Sequence, residues 1–171
     1  TAEDLYLEGI LKHNDSFECL SGLVYYHLNF SSSNKAKFYL DELLKLRPND
    51  NRTMRVALNY FLYINDYVNA MKYGLEIKRR NASDKISLAF LERKSGNIAK
   101  ANEYLNEAKN QLENWVNNND ESINGHYNLA KIYSMDNNYD QAFQLLNTAV
   151  NVGFRNYKRF MSSPLFENIK N

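Results

Sequence analysis

One cysteine, two prolines and six glycines are all that 171 residues contain of these types, and each shortage removes a class of structure. A lone Cys19 cannot close an internal disulfide and reads as a small buried apolar side chain. With only three scattered histidines, no metal-ligand spacing is present, so neither a metal nor a cofactor is expected. The few breakers leave long uninterrupted stretches, and β-type alternation is nowhere sustained, so the chain reads as all-helical. Charge of one sign is missing too: 21 Lys and Arg against 20 Asp and Glu give a net charge of +1, without the basic excess of a nucleic-acid-binding domain. No apolar run approaches the roughly 18 residues of a membrane span, and no charged leader with an apolar core opens the chain. No phosphate-cradling glycine loop, His-Glu-x-x-His pair, Gly-x-Ser-x-Gly elbow or paired-cysteine zinc spacing occurs, so an enzyme is not expected.

What is present is a period. Ala2, Ala36 and Ala70 stand 34 residues apart. The frame recurs at Ala101 and Ala142, with intervals of 31 and 41. A period near 34 made of two short amphipathic helices predicts a helical-hairpin solenoid. Length alone favours one cooperative domain, with 44% hydrophobic residues to fill it.

Asp15 and Ser16 predict the N-cap of a helix through Leu20, Leu23 and Val24 to about Leu28, followed by a Ser-rich turn from Asn29 to Asn34. Its partner carries Ala36, Leu40, Leu43 and Leu44 and ends before Pro48, which pushes Arg47 out of helical geometry. The second hairpin pairs Met54 to Ile64 with Tyr67 to Ile77, and the third pairs Ile86 to Leu91 with a long helix from Ile98 towards Val116. The extra turns of that helix account for the 41-residue interval. His126 to Tyr133 and Tyr139 to Val150 make the fourth, while Ala2 to Leu11 reads as the second helix of a repeat whose first helix is missing. The expected boundaries are 1–14 for the half repeat, then 15–50, 51–81, 82–119 and 120–152, with a closing segment at 153–171. Small residues recur where helices cross closely: Ala36, Ala70, Ala101 and Ala142 in the second helices; Gly22, Ala57 or Leu58, Ala89 and Ala130 in the first. Asn14, Asn29, Asn51 and Asn81 each begin an Asn-x-Ser/Thr triplet, as chance produces in a chain this rich in Asn.

The stretch His126-Tyr127-Asn128-Leu129-Ala130-Lys131-Ile132-Tyr133, with Tyr139, Ala142 and Leu145 to Ala149, resembles the tetratricopeptide repeat family, His standing for Trp and Ala for Gly. Ser21 to Tyr26 with Ala36 and Pro48, and Tyr67 with Ala70, carry the likeness in earlier repeats; Glu92 departs from it where an aromatic is usual. The tail resembles the closing segment of bacterial repeat arrays, with a Gly153-Phe154 step and Ser163 before Pro164 as N-cap of a short terminal helix through Ile169. The resemblance implies an all-α superhelix of about four repeats plus a C-terminal capping helix.

It also implies where a partner would sit. In this family the first helix of each hairpin lines a concave groove for a peptide or helix. Carried over by register, the groove presents Tyr26; Arg52, Arg55, Asn59 and Tyr63; Phe90, Arg93 and Lys94; and Asn124, Tyr127, Asn128 and Lys131. That set is basic and aromatic, suiting an acidic protein or peptide segment. Ser87, Asn124 and Asn128 depart from the family's clamp for a terminal carboxylate, so a chaperone-tail clamp is not expected. The leading expectation is a non-enzymatic peptide-binding scaffold. The alternatives are a regulatory or positioning segment of a larger enzyme or signalling protein, or an accessory of an envelope assembly or secretion machine. Thr1 opens with Ala2 already in mid-repeat, which predicts a fragment of a longer chain and leaves the compartment open. Asn-rich, Lys-rich and Tyr-rich usage is what an AT-rich bacterial genome yields.

Overall fold

The structure is a computed structural model that describes residues 1–12 and 16–170. Among these the chain is an all-α helical repeat solenoid of ten α-helices and a terminal 3-10 helix. After α1 (Ala2–Lys12) come four hairpins: α2 (Phe17–Phe30) with α3 (Ser33–Leu46), α4 (Asn51–Tyr63) with α5 (Tyr67–Glu76), α6 (Ala82–Lys94) with α7 (Ile98–Asn118), and α8 (Ile123–Met135) with α9 (Tyr139–Asn151). A short α10 (Tyr157–Ser162) and the 3-10 helix Pro164–Ile169 follow. The expected cap at Asp15 and the triplet at Asn14 lie outside the described residues.

The abundance of Asn, Asp and Ser has a local cause. Ser32, Asp50, Asp66, Asn81, Asn97, Ser122, Asn138 and Asn156 are N-caps whose side chains accept a backbone N–H of the following turn. Each satisfies a donor that the helix start leaves without a partner, typically worth about 1 kcal/mol. Asn81 with Asp84 forms a reciprocal capping box. The turns inside the last three hairpins are one design in register. Asn65, Gly96 and Asn137, spaced like the repeat, adopt positive φ of 59°, 84° and 58°, and the next residue caps the returning helix. Tyr67 and Tyr139 each donate a hydroxyl hydrogen bond back to the left-handed Asn, at 3.0 and 3.1 Å. The first hairpin is built otherwise, and the expected turn from Asn29 to Asn34 is shorter: α2 runs on to Phe30 and Ser32 already caps α3. Ser-rich composition there serves a cap, not a loop.

The chain falls into two compact units, Thr1–Lys78 and Arg79–Asn171, rather than the single one that length favours. Hairpins of a repeat array pack mainly on their neighbours in sequence. In the first unit Ala36 and Ala70 are fully buried, as the crossing requires. Their hairpins share a stacked ring pair in the same register: His27 on Tyr39 and Phe61 on Tyr73, both with centroids 5.4 Å apart and planes 5° from parallel. Gly22 serves a different crossing from the expected one. A Cβ there would lie 2.5 Å from the Tyr6 ring of α1, while the residue in register with Leu58 is the buried Val24. In the second unit Ala101, Ala108, Ala130, Ala142 and Ala149 are fully buried. Glu92, at the aromatic position of the pattern, instead accepts a hydrogen bond from Asn97 Nδ2 at 3.1 Å.

The longer α7 explains the stretched interval: Val116 reaches Gly125 of α8, where a Cβ would sit 2.6 Å from its methyl carbon, and Trp115 Nε1 donates to Ser122 Oγ at 2.8 Å. Beyond α9 the tail folds back, as the Gly-Phe step and Ser-Pro turn suggest. Gly153 takes φ 117°, and Pro164 opens the 3-10 helix at its first turn. Phe166 is fully buried with Tyr127, Ala130, Ala142 and Ala149, and Ile169 joins them. α10 has no counterpart in the repeat pattern, although Asn156 caps it in the same way as the earlier helices.

Candidate functional site

The leading helices of the first unit, α2 and α4, lie side by side in the 34-residue register. Asn59 Nδ2 donates to the Tyr25 hydroxyl at 3.1 Å, and Arg52 Nη1 meets Glu18 Oε1 at 3.2 Å, both pairs being 34 residues apart. Arg52 is exposed; its guanidinium also meets Asp50 at 3.3 Å and lies 4.2 Å from the centre of the Phe17 ring. The Asp50 carboxyl is held below the ordinary carboxylate range, chiefly by the backbone N–H of Arg52; burial opposes this as the next effect in size, and the side chains of Arg52 and then Arg47 lower it further. Arg55 and Tyr63 are half-buried and Asn59 is exposed. The residue in register with Asn59 is therefore Tyr25 and not Tyr26. Tyr26 turns its ring to His27 and Phe30, with centroids 5.2 and 5.6 Å away. The 34-residue spacing carried the signal for Tyr25.

In the second unit the register residues meet a different fate. Asn124 is exposed, but Phe90, Asn128 and Lys131 are 6%, 8% and 9% exposed and Tyr127 is fully buried. The expectation that Tyr127 and its neighbours line an open groove is corrected by the tail, which lies on α8. Phe154 stacks on Tyr127 at 4.6 Å, Phe166 meets it edge-on at 5.4 Å, and the Tyr127 hydroxyl donates to the Arg159 carbonyl at 3.3 Å. Burial pushes the Tyr127 phenol up to about 12, opposed by the Arg159 charge. Lys131 Nζ donates to Asn128 Oδ1 at 3.1 Å and lies 4.8 Å from the centre of the Tyr127 ring. Burial, and then the positive charge of Arg159, bring its pKa down to about 7.

Arg93 is half-buried and committed: it donates to the Met135 carbonyl at the end of α8, to Asp136 Oδ1 at 2.6 Å and to Asn102 Oδ1 at 3.4 Å. A cation at the last carbonyls of a helix satisfies groups that lack partners and faces the negative end of the dipole. Lys94 is exposed, pairs with Glu167 at 3.2 Å and lies 5.4 Å from the centre of the Phe90 ring. A cavity of about 180 Å³ opens between α6 and the terminal 3-10 helix, lined by Phe90, Arg93, Lys94, Met135, Pro164, Leu165, Glu167 and Asn168.

Both described histidines are structural in setting. His27 is buried with Nε2 3.2 Å from Glu3 Oε1, an ion-pair distance without hydrogen-bond alignment, and His126 Nε2 lies 2.6 Å from the Asp120 carbonyl. Cys19 is half-buried, its sulfur where a Cβ at Gly9 would come within 2.5 Å. Among the described residues no group of three or more His, Cys, Asp or Glu is placed to hold a metal ion, and no helix is long and apolar enough to cross a membrane. Asn29, Asn51 and Asn81 already use their side-chain amides, towards Tyr25 O, Lys78 N and Asp84 N.

Residues 83–152 match the tetratricopeptide repeat family. No curated protein matches the sequence. Among solved structures, MamA is similar at 14% identity over 88% of this chain and 85% of its own, with a TM-score of 0.52. YrrB, a TPR protein with an unusual peptide-binding site, is similar at 13% identity over 92% of this chain and 96% of its own, with a TM-score of 0.52. The pilF protein of Pseudomonas aeruginosa is similar at 14% identity over 98% of this chain and 85% of its own, again with a TM-score of 0.52. At such identities the likeness is one of fold.

Proposed function

We propose that this chain, a tetratricopeptide repeat protein, is a non-enzymatic scaffold module that binds an acidic peptide or protein segment through the basic and aromatic side chains of its leading helices. The observation that carries the reading is the face of α2 and α4. There Arg52, Arg55, Asn59, Tyr63 and Tyr25 are exposed or half-buried, and the Asn59 to Tyr25 and Arg52 to Glu18 contacts hold equivalent positions at one spacing. Rings lose little rotamer entropy on contact, and guanidinium groups recognise carboxylates with directed N–H bonds. YrrB, with its peptide-binding site on the same fold, supports the class of function.

Arg52 now answers Glu18 and Asp50, so an acidic segment exchanges one carboxylate for another. That exchange favours a ligand offering several carboxylates over one offering a single charge. The test is capture of an acidic peptide by the intact chain and by Arg52→Glu and Arg55→Glu variants. Reversal of either charge is expected to weaken capture and flatten its dependence on salt. Capture indifferent to both reversals would remove the α2–α4 face as the site.

A further inference from the structure

Lys131 presents an unusual problem of charge. Its side chain is 9% exposed, yet among the described residues no carboxylate pairs with it; its one polar partner is the neutral Asn128 amide, at 3.1 Å. The groups that face it are Tyr127 and Asn128 of its own helix and Arg159 of α10. Arg159 adds a second cation without a carboxylate, its guanidinium 4.9 Å from the centre of the same Tyr127 ring that Lys131 approaches to 4.8 Å. Two cations within 5 Å of one ring centre lie no more than about 10 Å apart. A buried ammonium is normally paired, because an uncompensated charge in a poorly hydrated site is costly. Among the described residues no carboxylate pairs with either cation.

We propose that Lys131 and Arg159, with Asn128, form a carboxylate subsite, and that an acidic side chain of a bound segment enters there to supply the missing negative charge. This rests on the reading of the chain as a binder of acidic segments and gives that reading a second anchoring point. The carboxylate would accept from the Lys131 ammonium and the Arg159 guanidinium while the Asn128 carbonyl keeps its bond to Nζ. Access is through α10, which carries Arg159 at the exposed surface and has no buried residue of its own. Sequence periodicity gave no sign of this arrangement, because Arg159 lies outside the repeats.

The experiment uses the whole chain, an acetylated and amidated hexaglutamate peptide, its hexaglutamine counterpart, and free glutarate. Hexaglutamate is expected to bind and hexaglutamine not to. Lys131→Met, which keeps the length of the stem, and Arg159→Ala should each weaken hexaglutamate at least about tenfold, the lower end for a hydrogen bond to a charged group. Calorimetry at pH 8 in two buffers of different ionisation heat should show proton uptake in the wild type and none in Lys131→Met, a difference that a purely structural role does not produce. Competition by glutarate assigns the subsite to any carboxylate, and its failure to compete assigns it to the peptide context; both are consistent with the proposal. Hexaglutamate bound as tightly by both variants as by the wild type overturns the subsite while leaving the α2–α4 face standing. Glutarate protecting the wild type against heat but not Lys131→Met, with no peptide bound, keeps the subsite and overturns the peptide-binding reading. A wild type that binds neither overturns both.

Discussion

Replacing Phe166 with Ala tests whether the tail is part of the second unit's core. The ring is fully buried, its centroid 5.0 Å from Phe160 and 5.4 Å from Tyr127, above the crossing alanines Ala142 and Ala149. Deleting a fully buried Phe side chain costs about 3 to 5 kcal/mol, transfer and cavity together. A unit of this size shifts its melting temperature by about 4 to 8 °C per kcal/mol, so a fall of more than about 10 °C is expected in the transition that involves α8 and α9. The loss has a ceiling. Once the tail detaches, nothing further is lost by weakening it, so Phe166→Ala cannot destabilise more than removal of residues 154–171. Scanning calorimetry on the wild type, Phe166→Ala and that truncation measures all three, and hydrogen exchange reports whether α8 loses protection with the tail. A melt displaced by less than about 2 °C, or a truncation milder than the point variant, would refute the packing argument.

Three further outcomes follow from the geometry. Gly96→Ala is expected to cost about 1 to 2 kcal/mol by denaturant unfolding, all of it conformational, because φ is 84° while nothing lies within 4 Å of the added Cβ. Arg93→Ala should destabilise by about 1.5 to 3 kcal/mol, through loss of its bonds to Met135 O and Asp136, whereas exposed Arg52→Ala should stay near or below about 1 kcal/mol; equal effects would contradict the assigned roles. For Lys131, whose folded pKa is depressed to about 7, the unfolded chain binds the extra proton between that value and its ordinary pKa of about 10.4. Stability should therefore rise with pH across this window, by up to about 1.4 kcal/mol per unit, and Lys131→Met should flatten the slope. The measurement is best confined below pH 10, since Tyr127, held at about 12, acts in the opposite sense once unfolded tyrosines ionise.

By itself the sequence determined the hairpins and their joints, because these depend on residues near each other in the chain. The alanines fix where helices cross, and Asn65, Gly96 and Asn137 supply the left-handed step that only such residues take easily. Asn and Asp caps end each turn, and the longer α7 is visible as a stretched interval. What only the tertiary structure decided is which leading-helix residues still face outward. Arg52 and Arg93 look alike in sequence, yet one lies exposed on Phe17 beside Glu18 and the other holds the end of α8 through a residue 42 positions away. Tyr127 and Lys131 carry the register of a groove but lie beneath a tail that obeys no period. Periodicity specifies a face of a helix; whether that face is wet depends on the apolar surface that distant residues such as Phe154 and Phe166 bury against it.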